Sequence, residues 1–69
     1  MTGAQAPAQA VEVCFDQRRS RRRGFVRPQG ERIWRDWSVP RIELAIKRGS
    51  ITLPGLVDAP VVVRASLED

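Results

Sequence analysis

Histidine and tyrosine are absent from this 69-residue chain, and cysteine, methionine and lysine each occur once. Without histidine there is no imidazole for acid–base work and no nitrogen of the kind most often used to bind metals. A lone Cys14 excludes an internal disulfide and a cysteine metal cluster. Flanked by Val13 and Phe15, it reads as a small buried hydrophobe rather than a nucleophile. Only four aromatics occur, so any core must be built from valine, isoleucine and leucine, and stability is expected to be marginal at this length. No run approaches the roughly 18 apolar residues of a membrane span. The opening MTGAQAPAQA has neither a basic segment nor an apolar stretch of leader type, so the expectation is a soluble protein of the cytoplasm, with no membrane contact. Glycines 24, 30, 49 and 55 are spaced as turns and caps, not as a phosphate loop. The carboxylates are scattered, most of them near an arginine. No catalytic set, metal site or cofactor site is expected, and the chain reads as a non-enzyme.

What is present is arginine, eleven against one lysine. Five of them fill the stretch RRSRRR, as Arg18, Arg19, Arg21, Arg22 and Arg23. From Gln17 to Arg35 there are eight arginines and one acid, Glu31, so the net charge of +4 conceals a local patch of +7. The guanidinium fork suits bidentate contact with phosphate or carboxylate. Such density on one connector points to a polyanion partner and so to nucleic acid. A solubilising loop is the bland alternative.

Residues 1–10 lack periodicity and are expected to form a flexible tail, with a single domain over 11–66 and a frayed acidic end at 67–69. VEVCF and GFVRP read as strands on either side of the arginine run, itself a loop or distorted turn, and RIWRDW reads as a third strand or a first helical turn. The clearest element is the helix after Ser38. Ser38 is its N-cap, Pro40 lies in the first turn, Lys47 and Arg48 face the negative end of the dipole, and Gly49 stops it. Val39, Ile42, Ala45 and Ile46 share its apolar face, while Arg41, Leu44 and Arg48 form a stripe on the other side. Glu43 and Lys47 are spaced as a helix pair. SITLP and VVVRA read as final strands, joined by a turn-rich PGLVDAP. The fold class predicted is α+β, a small single domain with short antiparallel strands packed on one amphipathic helix, barrel-like or winged-helix-like.

The run SVPRIELAIKRGSITLP resembles the helix, glycine and strand of small phage and prophage DNA-binding regulators, the excisionase, AlpA-like and pyocin-activator families. That resemblance covers residues 38–54 and implies that Arg41, Leu44 and Arg48 face a DNA groove, with Gly49, Ile51 and Pro54 structural. The order of elements is also similar to OB-type and cold-shock barrels. Both likenesses imply nucleic acid.

The function expected is therefore a small regulatory or accessory protein that binds nucleic acid, DNA rather than RNA. Arg18, Arg19, Arg21, Arg22 and Arg23 would clamp phosphates with help from Arg27, Arg32 and Arg35, and Arg41, Lys47 and Arg48 would dock the helix. Trp34 and Trp37 are candidates for stacking on bases or for an interface, or else pack over the helix start. The competing expectation is an inhibitor or adaptor, phage-encoded in kind, whose arginines and tryptophans bind an acidic host protein. A homodimer is also compatible with a core this small.

Overall fold

The computed structural model describes residues 9–68. Five strands and one helix follow in the order β1 (Val11–Arg18), β2 (Arg21–Pro28), β3 (Arg35–Trp37), α1 (Val39–Arg48), β4 (Ser50–Leu53) and β5 (Leu56–Arg64). They form a small α+β domain around one mixed sheet of order β3-β2-β1-β5-β4. β1–β2, β2–β3 and β4–β5 are antiparallel, but β1 and β5 run parallel, Val11 beside Val61 through Cys14 beside Arg64. An all-antiparallel arrangement is thus corrected. The sheet curls into an open half-barrel whose two edges are β3 and β4. The residues ahead of α1 form strands, and α1 is the one helix among those described.

Alternation in β1 divides the sheet into two unlike faces. Val11 and Val13 join Val26 on one face and meet Ile42 and Ala45 of α1, Ile51 and Leu53 of β4 and Ala59 of β5. Phe15, Trp37, Leu56 and Val61 pack around this cluster. Gly24 lets α1 come close: a Cβ built there would lie 2.5 Å from Ile42 Cδ1 and 2.7 Å from the Trp37 carbonyl oxygen.

The helix ends where its capping residues put them. The Ser38 hydroxyl accepts from the Arg41 N–H at 3.4 Å. Gly49 adopts the left-handed conformation, φ 80°, that lets its N–H reach the carbonyls of Ala45 and Ile46. Glu43 does not bridge to Lys47. It turns to Arg22 on β2, 3.3 Å away.

The opposite face of the sheet holds a buried polar cluster. Glu12 Oε1 accepts from Arg27 Nε at 2.7 Å and from Arg64 Nη1 at 3.2 Å. Trp34 stacks over the Arg27 guanidinium at 4.4 Å and donates its indole N–H to the Leu67 carbonyl at 3.2 Å. Arg64 also donates to the Glu68 carbonyl at 2.9 Å, so residues 67 and 68 are tied to the sheet. Of the ten residues expected as a tail, 1–8 lie outside the described residues. Ala10 is buried, and its carbonyl accepts from the Gln29 N–H.

Cys14 lies on this face, fully buried, its thiol directed at the Phe15 carbonyl at 3.6 Å. Burial pushes the thiol above its ordinary value of 9.0, and Asp16 adds to the rise while Arg64 opposes it. The native thiol is therefore expected to resist aromatic disulfide reagents at neutral pH. The linkage has a definite sign. An unfolded chain ionises first as the pH rises, so this group favours the folded state below the unfolded pKa and that contribution fades above about pH 9. Urea midpoints measured across alkaline pH should fall more steeply for the native protein than for Cys14→Ala, and identical profiles would contradict this account.

Candidate nucleic-acid interface

The arginine run is not a loop. It forms the end of the β1–β2 hairpin, in which Asp16 opposes Arg23, Gln17 opposes Arg22 and Arg18 opposes Arg21. Only Arg19 and Ser20 make the turn. Arg19 takes a positive φ of 57°, a conformation that loop signals such as Asn-Gly would have announced and that arginine adopts with some strain. β5 pairs with β1 only as far as Cys14, and β3 pairs with β2 only from Gly24. Beyond these points the hairpin pairs with itself alone. It forms a two-stranded arm about 13 Å long, at roughly 3.3 Å per residue from Phe15 to Arg18.

Each face of the arm carries an arginine laid on a phenylalanine. Arg22 lies 4.0 Å over the Phe15 ring and reaches Glu43, on the face shared with α1. Arg23 lies 5.5 Å from the Phe25 ring on the other face and bonds Asp36 at 2.7 Å. Arg18 bonds Asp16 at 2.8 Å. Arg19 and Arg21 form no ion pair among the described residues. Three of the five arginines thus meet the protein's own acids, in pairs whose side chains are largely open to water. Pairs of that kind contribute about 0–1 kcal/mol each and are easily exchanged. Arg18 and Arg21 face each other directly, and like charges so placed weaken a hairpin until an anion joins them.

The remaining candidates divide. Arg27 is only 5 % exposed and bound to Glu12, so it is not available to a phosphate, correcting the expectation. Trp34 is half-buried and held over it, its indole N–H bonded to the Leu67 carbonyl. The Arg27 error has one source: nothing in the local sequence shows that the Glu12 side of the sheet is covered. Arg35 is exposed and pairs with Glu31 at 3.3 Å, and Arg32 is exposed in the β2–β3 connection, at the end of β2 away from the arm.

The helix stripe stays together but lines a concavity. Trp37, Arg41, Leu44 and Arg48 surround a groove of 220 Å³ with Ser50, Ile51, Thr52 and Asp58. Arg41 lies 4.0 Å over the Trp37 ring. Counting 100° per residue, Arg41 and Arg48 point some 140–160° away from Glu43, which touches the arm. Arm and groove therefore occupy different flanks of α1. Lys47 is exposed between them.

Among the described residues there is no cluster of three or more cysteine or acidic side chains that could hold a metal ion. No helix among them is long and apolar enough to cross a membrane. No protein-family model, curated protein or solved structure matches this chain.

Proposed function

We propose that this chain is a non-enzymatic nucleic-acid-binding protein, a small regulatory or accessory factor that grips duplex DNA with its arginine arm. The observation that carries this reading is the arm itself: a ribbon paired only with itself, bearing arginine on both faces and at its tip. A two-stranded ribbon fits the major groove of B-form DNA, about 12 Å wide and 8.5 Å deep. The deep, narrow major groove of A-form RNA does not admit one.

In the complex the arm lies in the groove with Arg18, Arg19 and Arg21 at its tip reaching phosphates on the groove walls, while Arg22 and Arg23 take the flanking phosphates. The Phe15 and Phe25 rings hold those two guanidiniums in place beforehand, which reduces the side-chain freedom lost on binding. Phosphate replaces Asp16, Asp36 and Glu43 at the exposed pairs. This arrangement supplies affinity with little sequence information, since most contacts go to the backbone. The likeness to winged-helix phage regulators rests on α1 and the β4–β5 hairpin. It would add Arg41, Leu44 and Arg48 as a second contact, but these face away from the arm's side of the helix.

Binding of nuclease-treated protein to a labelled duplex, followed by anisotropy over a salt series, tests the reading. Five arginines on phosphates give a slope of log affinity against log salt of about −4.5. Arg19→Ala, Arg21→Ala and Arg22→Ala together should flatten it by about 0.9 per arginine. The fold should survive, because the change removes like-charge repulsion. Affinity unchanged between low and physiological salt would exclude the proposal.

A further inference from the structure

We infer that the groove beside α1 is a second binding site, for an extended acidic segment of a partner protein, separate from the arm. Both edges of the sheet contribute to its lining: Trp37 from β3, and Ser50, Ile51 and Thr52 from β4. An edge strand presents unpaired backbone N–H and C=O groups, which an incoming extended chain can bond. The groove also shows an apolar side chain to solvent, Leu44, 48 % exposed on a helix whose other buried contacts face the sheet.

Charge selects the occupant. Arg41 and Arg48 stand at the groove and form no ion pair among the described residues. Their seven-residue separation places them about 10 Å apart along the helix, at roughly 1.5 Å per residue. In an extended chain the side chains on one face recur every second residue, about 6.6 Å apart, so carboxylates four residues apart on the same face bracket that distance. The matching ligand is therefore a short segment with one apolar residue midway between two carboxylates on the same face, the apolar side chain lying on Leu44 and Trp37. The arginine on the Trp37 ring is already oriented to receive one of the carboxylates.

A peptide fits this site better than a nucleic-acid strand because the β4 edge offers paired peptide-type donors and acceptors, which a sugar–phosphate chain cannot reciprocate. Asp58 adopts a positive φ of 50°, with its N–H held by the Thr52 hydroxyl at 3.1 Å opposite an irregularity in the β4–β5 ladder. The wall of the groove is thus fixed in shape before any ligand arrives.

The test titrates the isotope-labelled full chain with a peptide containing Glu-Ser-Ile-Ser-Glu, following amide and indole resonances. Saturable shifts should concentrate on β4, on Leu44 and on the Trp37 indole. Leu44→Asp and Arg48→Glu, both at exposed positions, should each weaken binding about tenfold or more. Alanine at Arg19, Arg21 and Arg22 should leave it unchanged, so failure here and failure of DNA binding are distinguishable. Four results would overturn the inference: no saturable shift, equal binding of a Lys-Ser-Ile-Ser-Lys peptide, shifts confined to the arm, or displacement of the peptide from β4 by single-stranded oligothymidylate.

Discussion

Glu12→Gln is expected to remove a large share of the protein's stability, although it changes one atom of a side chain far from the arm. Glu12 is 7 % exposed, and its Oε1 is shared by Arg27 and Arg64. The substitution takes away a buried carboxylate bonded to both guanidiniums, and Arg27 is walled in by the Trp34 ring. Breaking a buried pair from one side destabilises by about 3–5 kcal/mol. A domain of this size holds about 3–10 kcal/mol in total, at 0.05–0.15 kcal/mol per residue. The loss is therefore a large share of the whole. Replacing the most buried pair, Glu12→Leu with Arg27→Met, should recover part of it, because apolar side chains need no neutralising charge and the partly exposed Arg64 still donates to the Glu68 carbonyl. Urea unfolding followed by circular dichroism measures both variants. A Glu12→Gln protein within about 1 kcal/mol of the parent would refute this role for the cluster.

Gly24→Ala should be nearly as damaging, by the opposite route of adding atoms. The new methyl group would meet Ile42 Cδ1 at 2.5 Å and the Trp37 carbonyl at 2.7 Å. Neither neighbour yields readily. Ile42 is fully buried at the centre of the core, and the carbonyl belongs to the β2–β3 ladder in which Gly24 faces Trp37. Overpacking of this kind typically removes 1–3 kcal/mol, and the upper end of about 3 kcal/mol is expected here. The gain from replacing a flexible glycine, about 0.5–1 kcal/mol, is too small to reverse the sign. Because Ile42→Val deletes Cδ1, it should cost less in the Gly24→Ala background than in the parent. Thermal melts of the four proteins give that coupling directly. Full additivity would show that the helix does not rest on Gly24.

The comparison of sequence with structure is most favourable where the forces are local. α1 was legible because Ser38, Pro40 and Gly49 act on the backbone within one turn, and Ile42 and Ala45 lie where the helical period puts them. The arginine run reads as a loop or distorted turn, because the strand character of Arg21 to Arg23 comes from pairing with β1 and not from their own side chains. Arg19 and Ser20 carry none of the usual signals of a two-residue turn. The PGLVDAP segment was read as a link but joins β5, since Leu53 pairs with Leu56 across Pro54 and Gly55. Glu12, in an alternating Val-Glu-Val, reads as a solvent-facing residue. It is buried only because Arg27, Arg64 and Trp34 arrive from elsewhere in the chain. The candidate site was legible as charge but not as shape: nothing in the run showed which arginines project and which rest on Phe15 and Phe25.

The parallel neighbour of the central strand also sets the order of assembly. Val11 cannot meet Val61 until the intervening forty-nine residues have been made and folded back, whereas the arm hairpin needs only a two-residue turn. Loop closure over that span delays the step without preventing it. On a ribosome, the cationic hairpin can form while the outer side of β1 still lacks its neighbour, and the sheet is completed only after Arg64 has emerged from the exit tunnel.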